Sequence, residues 1–185
     1  LKMKDYENTR IILEQNLSIN PQQEQSEKML GDIHRDTGDP KQAIVHYNRA
    51  IAINEKYYKA HYSIGVLFLQ ERQNEKARNA LQTAIQLEPN YSKAYSALGI
   101  VEQELGAIDS AIKNYIHATE LDGKSYKTFY RLATVYNLQK KHESAKNAAK
   151  DCLNIKRNYA PAYYELGLSE KALGNKVAAV DAFEK

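Results

Sequence analysis

The pair Leu98-Gly99 recurs at a fixed interval along the whole chain. Steps of 34 residues lead back to Ile64-Gly65 and Leu30-Gly31, and forward to Leu132-Ala133 and Leu166-Gly167. Ala111 steps in the same way to Ala77, Ala43, Ala145 and Ala179, and Ala118 steps to Ala84, Ala50 and Cys152. Tyr115 steps to Leu81, Tyr47 and, two periods on, Phe183. No insertion or deletion interrupts the register, so the chain is an array of one supersecondary unit that buries its apolar face against its neighbours. The repeats run 24–57, 58–91, 92–125, 126–159 and 160–185.

Each period contains two amphipathic helices. Tyr95, Leu98, Gly99 and Glu102 follow the i, i+3, i+4, i+7 rule in the first, and Ile108, Ala111, Ile112, Tyr115 and Ala118 follow it in the second. Gly38-Asp39-Pro40 supplies a helix stop, an N-cap and a first-turn proline in order, and Gly174-Asn175 offers the same stop and cap. Helices joined by so short a turn are antiparallel neighbours. Gly99 costs helix propensity, ~1 kcal/mol relative to Ala. It is expected at a close approach of the two axes, facing the small residues Ala111 and Ala118.

The order aromatic-x2-Leu-Gly, Ala-x3-aromatic, Ala and a closing Pro resembles the tetratricopeptide repeat. Tyr95-x2-Leu98-Gly99, Ala111-x3-Tyr115 and Ala118 carry the resemblance in the central repeat, Tyr163-x2-Leu166-Gly167 and Ala179-x3-Phe183 in the last, and Pro21 and Pro89 close second helices. It implies an all-α, right-handed superhelical solenoid of antiparallel helix pairs. Residues 1–23 read as the second helix of a preceding, truncated repeat, and 160–185 as a truncated last one, so a fragment of a longer protein is expected. Apolar residues at the two ends (Ile11, Ile12 and Leu17; Val177, Val180 and Phe183) are then expected to lie uncovered and to favour end-to-end self-association. Arg72 and Lys140 replace the turn glycine, and Glu55, Gly123 and Arg157 replace the closing proline, so looser helix ends are expected there. Repeat 126–159 lacks both the glycine (Ala133) and the aromatic (Ala149).

Composition narrows the function. The 185 residues carry a net charge of +3 with both signs interleaved, which is too mild to imply nucleic acid. A pentatricopeptide array would in any case drift by one residue per repeat against the period seen here. No stretch approaches the ~18 apolar residues of a membrane span. Cys152 is the single cysteine, which rules out an internal disulfide and a cysteine metal cage and fits a reducing compartment such as the cytoplasm. At an alanine position it reads as a small buried hydrophobe. The histidines (His34, His46, His61, His117 and His142) occupy five different places in the period, where a repeated metal or catalytic site would reuse one. With no metal, phosphate-loop or nucleophile motif, no catalytic residue, metal or cofactor is expected.

A second stripe on the first helices is not needed for the helix pair. It comprises Tyr62, Val66 and Leu69; Ser96, Ile100 and Gln103; Tyr130, Thr134 and Asn137; and Tyr164, Leu168 and Lys171. Lys59, Lys93 and Lys127 precede it at one-repeat spacing. In the arrays this chain resembles, that stripe lines a concave groove for peptides, which implies a protein or peptide partner with acidic residues between apolar anchors. The alternative is that the stripe helps first helices pack on each other. The carboxylate clamp of such arrays, which holds the C-terminal tails of heat-shock chaperones, is matched only at Lys127 and Arg131. Tyr62, Val66 and Ala97 hold its other places. The reading is therefore a protein–protein interaction scaffold, with a regulatory or substrate-recruiting array on an enzyme domain beyond this stretch as the rival.

Overall fold

Every repeat starts its two helices at the same two places in the period. The structure, a computed structural model, describes residues 2–185, with side chains from Asp5 onward; Leu1, the first residue of the expected truncated repeat, lies outside the described residues. Two compact units divide at Pro89, and all the described secondary structure is helical. The first unit, Leu1–Pro89, holds α1 (Lys2–Ile19), α2 (Glu24–Asp36), α3 (Pro40–Ile53), α4 (Tyr58–Gln70) and α5 (Asn74–Leu87). The second, Asn90–Lys185, holds α6 (Ser92–Glu104), α7 (Ile108–Leu121), α8 (Tyr126–Leu138), α9 (His142–Ile155), α10 (Ala160–Ala172) and α11 (Lys176–Phe183). All first helices are 13 residues long and start one period apart, and α3, α5, α7 and α9 are all 14.

The nearest neighbour of Gly99 across the helix pair is an aromatic ring. A Cβ placed on Gly99 would lie 2.5 Å from Cε1 and 2.6 Å from Cδ1 of Tyr115, which is fully buried. The same seat recurs sixteen residues apart in the other repeats: Gly31 under Tyr47, Gly167 under Phe183, and Gly65 under Leu81. Ala111 and Ala118 are buried as expected, but the glycine makes room for a large side chain reaching across from the second helix. Repeat 126–159 changes both members together. Ala133 and Ala149 are each fully buried in the core of the second unit, among Leu132, Val135 and Ala148. A methyl on each side replaces a ring over a bare backbone, and the pair closes with the same helix boundaries.

The helix ends expected to be looser keep the register of the others. Arg72 (φ 56°) and Lys140 (φ 58°) adopt the left-handed conformation that Gly38, Gly106 and Gly174 adopt at the same place in the repeat. α4 and α8 therefore end where the other first helices do. Second helices also stop in register whether or not proline follows. Asn54, Glu88, Asp122 and Lys156 each turn to extended backbone while donating their N–H to the carbonyl four residues back. Asp39 caps α3 as expected, its carboxylate accepting the Gln42 N–H at 3.1 Å, with Pro40 in the first turn. Asn175 does not cap α11; its side-chain amide donates to Glu170 instead. Val177, Val180, Phe183, Ile11 and Ile12 are exposed, whereas Leu17 packs against the cluster of Leu13, Leu30 and Ile33.

Two stability measurements check this account. Gly99→Ala should cost about 1–3 kcal/mol by overpacking, and Tyr115→Ala about 3–5 kcal/mol by truncation. The double variant, which recreates the alanine pair of repeat 126–159, should cost at least ~1 kcal/mol less than the sum in denaturant unfolding. Strict additivity would mean that ring and glycine do not meet. Separately, Lys140→Gly should stabilise by about 0.5–1 kcal/mol, because relief of left-handed strain in a non-glycine residue exceeds the entropy glycine adds to the unfolded chain.

Candidate functional site

In the first unit, Lys59, Tyr62, Val66 and Leu69 share one face of α4, with Lys59 exposed and the other three half-buried. Burial pushes the Tyr62 phenol above its ordinary range. The stripe extends to α2 in a form that sequence reasoning missed. One period before Tyr62, Val66 and Leu69 stand Lys28, Asp32 and Arg35, so a step of 34 was the signal that could have found them. Asp32 is a polar hub. It accepts the Tyr47 hydroxyl at 2.9 Å and the Ser63 hydroxyl at 3.4 Å, and it pairs with Lys28 and, at 3.4 Å, with Arg35. Tyr47 thus lies over Gly31 and delivers its hydroxyl to the stripe. Burial, reinforced by the Asp32 charge, raises that phenol far above its usual range.

In the second unit the stripe is distributed over three helices. Lys93 and Ile100 lie on α6, Lys127, Tyr130, Arg131 and Thr134 on α8, and Tyr164 and Leu168 on α10. Its polar members join the first helices to one another. The Ser96 and Thr128 hydroxyls are 3.0 Å apart, Thr134 donates to Glu165 at 2.9 Å, and Asn137 donates to the same carboxylate at 2.9 Å. Ser169 in turn donates to Asn137 at 3.0 Å. The packing role weighed against a groove is therefore real for these residues. Tyr130 is half-buried and edge-on to Tyr159, with ring centroids 5.4 Å apart, in a cluster around Cys152 and Leu153. Arg131 lies at the Tyr115 hydroxyl, which also donates to Gln103 at 3.1 Å. Burial pushes that phenol up to about 12 against the pull of the Arg131 cation. The members facing solvent are Lys93, Lys127 and Tyr164, the last with 57% of its surface exposed.

A family model described as "TPR repeat" matches residues 31–71, and one described as "Tetratricopeptide repeat" matches 58–91 and 126–159, the bounds set by the 34-residue step. The chain belongs to the tetratricopeptide-repeat family. Anaphase-promoting complex subunit 3 of Schizosaccharomyces pombe is 24% identical over 167 residues, covering 90% of this chain, and the chain spans only 25% of that subunit's length. The solved structure of PilF from Pseudomonas aeruginosa superposes with a TM-score of 0.89 at 17% identity, covering 98% of this chain and 83% of PilF. YrrB, described as a TPR protein with an unusual peptide-binding site, superposes at 0.75 with 14% identity, covering 93% and 89% of the two chains. Both structural likenesses bear on the fold alone, and it is the family match that supports a protein-interaction scaffold.

The remaining chemistry-bearing groups of this tetratricopeptide-repeat chain have local partners. His34 and His46 stack with centroids 5.1 Å apart, and His46 Nδ1 lies 2.7 Å from Glu27. His61 faces the Glu55 carbonyl, His117 lies against Tyr95, and His142 contacts Asn137. Among the described residues no group of three or more His, Cys, Asp or Glu side chains could hold a metal, and no helix is long and apolar enough to cross a membrane. Cys152 is fully buried, and burial pushes its thiol up to about 11. Since the thiolate is the reactive form, native Cys152 should react with a disulfide reagent at pH 8 at least about 100-fold more slowly than in the unfolded chain. Equal rates would contradict its burial.

Proposed function

We propose that this chain is a protein-interaction scaffold whose first-helix stripe holds a peptide segment with acidic residues between apolar anchors. The observation that carries this reading is the state of three lysines. Lys59, Lys93 and Lys127 stand at the second residue of α4, α6 and α8, and all three are exposed. Among the described residues none of them has a carboxylate in ion-pair distance; Lys59 has only the Tyr58 ring, 5.8 Å from its ammonium. Lys28 and Lys146, by contrast, are each paired within their own helix. Cations repeated at one place in the period and left without a carboxylate suit acidic residues of a partner segment.

Within each unit the apolar contacts come from the first-helix face that follows the lysines: Tyr62, Val66 and Leu69 in the first unit, and Ile100, Tyr130, Tyr164 and Leu168 in the second. A tyrosine offers large contact area at low side-chain entropy cost and keeps a polar tip. Arg131, already at the Tyr115 hydroxyl, adds a planar donor beside Tyr130. Two likenesses support the reading: YrrB is described with a peptide-binding site, and the fission-yeast relative is a subunit of a multiprotein complex. A stretch matching a quarter of such a subunit suits an interaction segment of a larger assembly.

Peptide-phage selection on the immobilised chain tests this directly. Enriched peptides should carry Asp or Glu between apolar residues. Exposed ion pairs contribute only ~0–1 kcal/mol each. Replacing the three lysines by Ser should therefore weaken binding about tenfold in total and flatten its dependence on salt, while Tyr164→Ala should weaken it about tenfold at every salt concentration. Enriched peptides without acidic residues, or affinities indifferent to both changes, would overturn the reading.

A further inference from the structure

A different face of the second unit repeats with one telling exception. In α6 and α10 the fourth residue meets the residue twenty-two positions later, on or just beyond the paired second helix. In repeat 92–125 these are Tyr95 and His117, with rings edge to face at 4.3 Å. In repeat 160–185 they are Tyr163 and Lys185, whose ammonium lies 5.6 Å from the ring centroid. In both, an aromatic ring is covered by a basic side chain of the chain itself. Between them, repeat 126–159 has Phe129 and Asp151. A carboxylate is repelled by the negative face of a ring and cannot take the covering role.

The result is an open slot of about 250 Å³ between α8 and α9. Phe129, Leu132, Tyr136 and Ala148 line it with apolar surface, and Ser144, Asn147 and Asp151 form its polar edge. Among the described residues no cation pairs with Asp151, and the nearby Lys146 is held by Glu143 at 2.7 Å. Phe129, Leu132 and Tyr136 fall on a different face of α8 from Lys127, Tyr130 and Thr134, so the slot is independent of the stripe.

We infer that this slot receives a basic side chain, arginine in preference to lysine, from a protein partner. The partner supplies the basic group that the flanking repeats supply from within. A guanidinium stacks flat on an aromatic ring and forks to a carboxylate, both of which the slot presents together. The three-carbon stem of an arginine covers the apolar walls at Leu132 and Ala148 while its head stays at the wet edge beside Asp151. Charge sets the sign: an acidic partner segment suits the lysine stripe, and a basic residue suits this slot.

Amide NMR on the whole chain, titrated with acetyl-Ala-Arg-Ala-amide, tests the inference. Saturable shifts should be confined to residues 129–136 and 144–151, with weaker binding of the lysine peptide and none of the norleucine peptide. Asp151→Lys places the chain's own cation over Phe129, as Lys185 stands over Tyr163. It should weaken the arginine peptide at least about tenfold, and Asp151→Asn should do so less severely. Asp151 is exposed, so both variants should melt as the parent does. Shifts scattered over the surface, an equal response to norleucine, or an unchanged affinity in Asp151→Lys would overturn the proposal. None of these results depends on whether the stripe binds peptides.

Discussion

The seat of a second-helix side chain on a first-helix backbone sets the geometry of each repeat. With glycine at position 99, the Tyr115 ring lies where a Cβ would be, and the two helices close around it. The interaction has two parts that must agree in volume. A ring needs a bare backbone and a methyl needs a methyl, and close-packed interiors tolerate little deviation from either. That explains why Ala133 and Ala149 occur together in one repeat and why its helix boundaries match those of its neighbours.

This seat also links packing to surface chemistry. The ring at Tyr47 or Tyr115 is long enough to carry a hydroxyl through the helix pair to the stripe side. It reaches Asp32 in one case and Gln103 with Arg131 in the other. Repeats with Leu81, Ala149 or Phe183 have no such hydroxyl. In the repeats of Tyr47 and Tyr115 the core position therefore adds a hydroxyl to the stripe above it. Between first helices of the second unit, the Thr134, Asn137, Glu165 and Ser169 network satisfies buried polar groups that would otherwise be costly. Lys93 and Lys127 stay outside it.

Much of the fold was legible in the sequence because the period is strict. Leu98-Gly99 and its counterparts located all five helix pairs, and Gly38-Asp39-Pro40 located a turn and a cap. Errors arose where one residue type was read in isolation. Arg72 and Lys140 looked like defects, yet both take the left-handed backbone that Gly38, Gly106 and Gly174 take at the same turn. The stripe was legible from residue 59 onward. Lys28, Asp32 and Arg35 escaped because charged residues do not look like members of an apolar pattern, although the step of 34 places them there.

The sequence by itself determined the repeat, the pairing of helices and the burial of each small residue, since all three follow from periodicity and local chain geometry. It also placed the lysines of α4, α6 and α8 at one helix position. Tertiary structure alone decided which partner each residue meets. Gly99 lies under the Tyr115 ring, Thr134 is bonded to Glu165, Tyr130 leans on Tyr159, and Phe129 lacks the basic side chain that meets Tyr95 and Tyr163. Helical spacing fixes the face on which a side chain lies. Its partner across the interface depends on the length and direction of side chains from another helix, which the spacing within one helix does not encode.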